Sequence, residues 1–212
     1  MYDLNHWLVF LAAATALNLS PGPDSIYILS NTLAHGKRVG LASMGGIASG
    51  AMVHIFAAAF GLSAILATSV LAFTLVKWVG AAYLCYLGLK MLLSRSSSLD
   101  PVHGTTFTAM TTMAAYRQGI MVNILNPKVA IFFTAFLPQF IDLEFGFVTL
   151  QFLLLGMIVN LLGVVVELCY VFGADRMTLA LRQNPRAAVW LDRLLGSILI
   201  ALGIRLGLQD RA

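Results

Sequence analysis

Apolar residues come in long runs along this chain, and short clusters of basic, small or turn-forming residues separate the runs. A helix crossing about 30 Å of hydrocarbon needs roughly 20 mostly apolar residues. Six runs meet that length, at about 5–34, 40–66, 71–93, 112–140, 146–173 and 190–209. The first and fourth are longer than a straight crossing requires. Each has helix-breaking residues near its middle, Pro21-Gly22-Pro23 in the first and Asn126-Pro127 in the fourth. Proline removes a backbone donor and its ring clashes one turn back, so both runs are expected to be broken helices. The stretch SRSSSLDPVHGTT at 94–106 is the clearest loop.

Composition agrees with the pattern. Of the 212 residues, 59% are hydrophobic and 10% are charged, and mean hydropathy is +0.88. A soluble domain carries about 25% charged residues. The chain therefore reads as an all-α integral membrane protein, a single transmembrane domain over 1–212. Its first half covers about 1–93, its second about 112–209, and a loop at about 94–111 joins them. The net charge of +4 is no nucleic-acid signal, because the basic residues cluster between the apolar runs. Cys85 and Cys169 fall within apolar runs and read as buried small hydrophobes. The opening MYDLNHWLVF lacks a basic start, and no A-x-A-like site follows it, so the segment is expected to be retained.

Lysine and arginine set the expected orientation. Lys37, Arg38, Lys90, Arg95, Arg117, Arg176, Arg182, Arg186 and Arg193 fall on one side of a six-span arrangement. Lys77, Arg205 and Arg211 fall on the other, with Asp142 and Glu144 in a loop without basic residues. The 94–111 loop is therefore expected in the cytoplasm and both termini outside.

The two halves resemble each other. A shift of 106 residues brings Leu19 over Leu125, Pro21 over Pro127, Gly40 over Gly146, Gly50 over Gly156 and His54 over Asn160. After a longer loop in the second half, Gly80 meets Gly196. Three spans is an odd number, so the second half would enter from the opposite face. The expected architecture is two inverted three-helix repeats with helices 1 and 4 broken near the midplane. Transporters built this way place substrate between broken helices. Backbone groups freed by a break must line a cavity or be buried in protein.

Ser20, Pro21, Gly22, Pro23, Asp24, Asn126, Pro127 and Lys128 are therefore the expected substrate-binding residues around the two breaks, with His54 and Asn160 at repeat-related positions. An ionisable side chain near the bilayer centre costs at least about 2.5–3.5 kcal/mol, which makes Asp24 and Lys128 the sharpest of these. Two readings stand. They neutralise each other as a structural pair, or Asp24 binds a substrate ammonium or a proton while Lys128 binds a carboxylate. His54 lies on a stripe with Ala42, Gly46, Gly50 and Ala58 suited to close helix packing. It reads as a packed, hydrogen-bonded histidine or as one that faces substrate or a proton. Glu167 follows Asn160 at i+7 and joins Asp24 and His54 as a proton-coupling candidate, or else pairs with an arginine at the cytoplasmic end. Tyr83, Tyr86 and Trp78 read as interfacial or packing aromatics.

No GxxxxGK[ST], HExxH or CxxC motif occurs, so no nucleotide-driven pump, metal site or cofactor is expected. GIASG near His54 loosely suggests an intramembrane hydrolase, but Ser49 and His54 are five apart and on different helix faces. A passive channel would also tolerate broken helices. These remain as alternatives to a transporter.

The motif SPGPD at 20–24, the basic loop HGKRVGL, the glycine-rich second run with His54, and NPKVAIFFTAFLPQF at 126–140 resemble, in that order, the LysE/RhtB family of bacterial amino-acid exporters. The resemblance implies a small, multi-pass protein of the bacterial inner membrane. It implies export of amino acids or close derivatives, driven by the proton-motive force, and a homo-oligomer. Its expected partners are the amino-acid substrate, the lipid bilayer and protons.

Overall fold

The computed structural model describes residues 4–62, 70–93, 110–183 and 185–208. Among these residues the chain is all-helical, with no strand. The first apolar run forms α1 (Leu4–Leu19) and α2 (Pro23–His35), and the second forms α3 (Lys37–Phe56), which runs on as a wider π turn to Leu62. Then come α4 (Val70–Leu93), α5 (Thr112–Ile124) and α6 (Pro127–Ile131), the last extended by tighter and wider turns to Phe140. Two long helices close the chain, α7 (Val148–Gln183) and α8 (Pro185–Leu208).

The breaks fall where proline puts them. Helix α2 restarts with Pro23 at its first position behind Gly22, and α6 restarts with Pro127 behind Asn126. Proline suits the first helical position, where an N–H would have no acceptor. Between α2 and α3 the chain turns at Gly36 alone, whose φ of 84° is a conformation that L side chains rarely adopt.

By length and apolarity alone, Lys37–Leu62 and Val148–Ala174 can each cross a membrane. The bent pair Thr112–Ile124 and Pro127–Phe140, with 49° between its parts, makes a third if it is one span. The surface fits that environment. Leu8, Phe60, Val79, Leu154, Phe172 and Trp190 are all more than half exposed, an apolar exterior that hydrocarbon accepts. The interior includes a cluster of edge-on and tilted rings, Phe10, Phe132, Phe136 and Phe140.

Helices α3 and α5 lie close, and so do α4 and α8. The first contact uses the small-residue stripe: a Cβ on Gly46 would collide with the Tyr116 carbonyl, and one on Gly50 would press on Asn123. In the second, Gly88 and Gly196 face each other's backbone carbonyls.

Two expectations change. Among the described residues, helix replaces the expected second-half loop after 173: α7 continues to Gln183 and α8 begins at Pro185. The stretch ADRMTLALRQ is rich in helix formers, and a helix outlasts its apolar stretch when only its polarity changes. Cys169 is exposed and Cys85 half-buried, so neither is a fully buried hydrophobe. An apolar run in a membrane protein does not distinguish a lipid-facing position from a packed one. The 94–111 loop, with Arg95, lies outside the described residues except for 110 and 111, as do Arg211 and the side chains of Arg176, Arg182 and Arg186.

Candidate functional site

A helical N–H bonds the carbonyl four residues back, so each proline denies one carbonyl that donor. Pro21 leaves the Leu17 carbonyl and Pro23 the Leu19 carbonyl without that donor, whereas the Asn123 carbonyl, which Pro127 cannot serve, still accepts the Asn126 N–H at 2.9 Å. Each of these three oxygens receives a side-chain donor from elsewhere in the fold. Lys128 Nζ donates to the Leu17 carbonyl at 3.2 Å and also to that of Ser20 at 2.8 Å. The Tyr170 hydroxyl donates to the Leu19 carbonyl over a long 3.5 Å. His54 Nε2 lies 3.1 Å from the Asn123 carbonyl, which can only accept, so Nε2 carries the proton.

The restarting helices are capped with equal economy. The Gly22 N–H donates to Ser25 Oγ at 2.9 Å. Asn126 Oδ1 accepts from the Lys128 N–H at 3.0 Å, a side-chain N-cap. The same amide donates through Nδ2 to Asp24 Oδ2 at 2.8 Å, and Asn123 Nδ2 donates to that oxygen at 3.2 Å. Asp24 and Lys128 hold the same place in their helices, the position after the leading proline. That correspondence is a spacing of 104 (Lys128 against Asp24): the helices before the breaks end at Leu19 and Ile124, 105 apart, and the first break is one residue longer.

Asp24 and Lys128 are both buried, yet no ion pair joins them. Asp24 takes two amide donors and Lys128 takes two backbone carbonyls. The structural reading of a directly neutralised pair is therefore not what the fold contains. Glu167 also departs from one expectation. Among the described residues it contacts no arginine; it lines a small cavity with Asp24 and Lys128, and its Oε2 is shut off from solvent without a hydrogen-bond partner in the protein.

That cavity has a volume of about 40 Å³. Ser20, Asp24, Lys128, Asn160 and Glu167 line it among the expected residues, together with Asn123 and Tyr170. Asn160 Nδ2 is tied to the Ala48 carbonyl at 3.3 Å. On the other side of the breaks lies a larger open cavity of about 570 Å³. Pro21, Gly22, Pro23, Asn126 and Pro127 line it, facing Tyr83, Tyr86 and Lys90 of α4. Ser20 and Lys128 border both cavities. A Cβ on Gly22 would sit 3.0 Å from Lys128 Nζ, so glycine there leaves the lysine its place. His54 borders neither cavity; its ring stacks on Phe133 with centroids 6.1 Å apart.

Asn123 and Tyr170 were missed from the sequence, and Tyr83 and Tyr86 were read only as packing or interfacial rings. Asn123 had a signal: it is a polar residue in an apolar run, one turn before Asn126. The tyrosines had none, since an aromatic lining a cavity looks like any other in sequence.

The sequence profile of the LysE type translocator family matches residues 15–210. The chain belongs to that family. An uncharacterized membrane protein of Vibrio cholerae is 34% identical over 205 residues, covering 96% of this chain and 97% of the relative. The homoserine/homoserine lactone efflux protein of Salmonella typhimurium is 32% identical, covering 93% of each chain. The leucine efflux protein of an Enterobacter species is 27% identical, covering 96% of this chain and 95% of the relative. No solved structure gives a significant match. A translocator family with membrane-protein relatives sets aside the intramembrane hydrolase.

Proposed function

We propose that this LysE-family protein is a secondary exporter of amino acids or close derivatives across the bacterial inner membrane. The relatives' named substrates, homoserine, its lactone and leucine, set the chemical range: small molecules with a primary amine. The observation that carries a transport site at the breaks is the placement of two buried, oppositely charged side chains, Asp24 and Lys128, at the restarts of two broken helices around one polar cavity. Substrate is held there, between Ser20–Asp24 and Asn126–Lys128, with Asn160 on the wall. His54 supports the second break rather than touching substrate.

The proposed architecture is one transmembrane domain of six spans in two inverted repeats, about 1–93 and 112–209, with both termini outside and the 94–111 loop in the cytoplasm. It works as a homo-oligomer in the bilayer. About 40 Å³ holds little more than a few waters, since one needs roughly 10–15 Å³. A whole amino acid does not fit the small cavity as it stands, so the helices around it must separate to admit one. Protons drive the cycle, with Asp24 and Glu167 as carriers.

Purified protein in proteoliposomes with an imposed pH gradient tests the reading. Labelled L-leucine and L-homoserine should accumulate against their gradients and stop doing so when a protonophore collapses the pH difference. Flux that only dissipates a substrate gradient would make the protein a channel.

A further inference from the structure

Three acceptor oxygens around the small cavity have no donor from the protein: Asp24 Oδ1, Asn123 Oδ1 and Glu167 Oε2. They come from three helices, α2, α5 and α7. Asp24 is 9% exposed and Asn123 2%, so water outside the protein does not reach them. A buried acceptor left without a donor is unfavourable, and a carboxylate more so. The chain's own cation does not relieve them, because two of the three Lys128 N–H groups already point at the Leu17 and Ser20 carbonyls. With both carboxylates ionised, the lysine leaves one negative charge over. A group with one positive charge and three N–H donors matches both deficits.

We infer that this cavity receives the primary ammonium group of the substrate, and that a free carboxylate is not required for recognition. Lys128 holds the broken end of α1 and is not the receptor for a carboxylate. The inference rests on the exporter reading and narrows it: the substrate class is small primary amines, whether zwitterions or carboxylate-free esters, amides and lactones. About 40 Å³ suits an ammonium group and not a leucine side chain, so the amine is the part that reaches deepest.

The test uses wild-type protein and analogues. Proteoliposomes loaded with unlabelled L-leucine or L-homoserine exchange it for the labelled compound outside at constant pH, without a gradient. L-Leucinamide and homoserine lactone keep the amine and lack the carboxylate. 2-Hydroxy-4-methylpentanoate and N-acetyl-L-leucine keep the carboxylate and lack the ammonium. The first two should compete within about threefold of the parent compounds, and the last two about a hundredfold more weakly, the loss expected when charge-assisted bonds are forfeited. Hydroxy acid competing as well as the amide would overturn the inference and return Lys128 to the carboxylate. Exchange abolished when choline replaces sodium and potassium would also overturn it, by giving the three oxygens to an inorganic cation. Absence of exchange of either labelled compound would remove the exporter reading, and this inference with it.

Discussion

Asn126 does two jobs with one amide, and substitutions separate them. Its Oδ1 caps α6 and its Nδ2 donates to the Asp24 carboxylate at 2.8 Å, with the residue 1% exposed. Asn126→Ala removes both. Loss of an N-cap costs about 0.5–2 kcal/mol. Loss of a hydrogen bond to a charged group costs about 1.5–3 kcal/mol in water-soluble proteins. Interhelical polar bonds in membranes average nearer 0.6 kcal/mol, because the unfolded chain in the membrane also finds partners. The alanine variant should therefore lose about 1–5 kcal/mol, the sum of the two ranges with that lower membrane value as the floor. Asn126→Ser keeps an oxygen for the cap and should lose only the carboxylate share. Asn126→Asp keeps the cap but sets a second carboxylate against Asp24, and should be the least stable of the three. Unfolding in mixed detergent micelles gives the order. Repeating the serine change in an Asp24→Asn background should shrink its effect by about 1 kcal/mol, because the acceptor is then neutral. Equal losses for the serine and alanine variants, with no coupling to Asp24, would refute the dual role.

Replacing Pro21 and Pro23 by alanine removes an obstacle to continuous helix of roughly 3 kcal/mol per proline. Export should be lost in protein that still inserts and folds, and wild-type export rates would reduce the break to a kink. Pro127→Ala should act in the same way. Combining Asp24→Asn with Lys128→Gln should not restore the thermal stability lost in the single variants, since each side chain has its own partners; full recovery would reinstate the mutual pair. A tag in the 94–106 stretch should react with cytoplasmic reagents only and one at 141–145 with external reagents only, so labelling of both from one side would end the six-span topology.

The breaks were legible because proline acts locally: the sequence places them at Pro21-Gly22-Pro23 and Asn126-Pro127, and the helices restart on Pro23 and Pro127. What closes the breaks was not legible. The side-chain donors to Leu17, Leu19 and Asn123 come from Lys128, Tyr170 and His54, separated from them by 111, 151 and 69 residues. No periodicity records such contacts. His54 illustrates the limit: its stripe was visible at four-residue spacing, but its acceptor exists only once α3 lies against α5. Charge placement was similarly half-readable. Asp24 and Lys128 stood out by position, while the choice between pairing and separate partners depended on carbonyls with no mark in the sequence. The extent of α7 was misjudged because apolarity measures the membrane, not the helix.

Why Lys128 caps α1 instead of pairing with Asp24 follows from the alternatives open to each group. Asp24 already has two amide donors, from Asn123 and Asn126. The Leu17 carbonyl faces a proline that has no N–H to give, and an unsatisfied backbone group in a membrane costs several kcal/mol. Swinging the ammonium onto the carboxylate would add an attraction for an acid that is partly satisfied and strip two carbonyls at once. The cap therefore wins, and the consequence reaches across the chain. A lysine of the second half secures the break in the first, and an aspartate of the first half takes its donors from the break in the second. The two breaks are tied to each other: moving α6 away from α1 withdraws Lys128 from its carbonyls, and moving it away from α2 withdraws the Asn126 amide from Asp24. A conformational change that moves α6 to admit a substrate then disturbs both breaks, and a substrate ammonium placed on Asp24 and Glu167 would replace part of what that movement breaks.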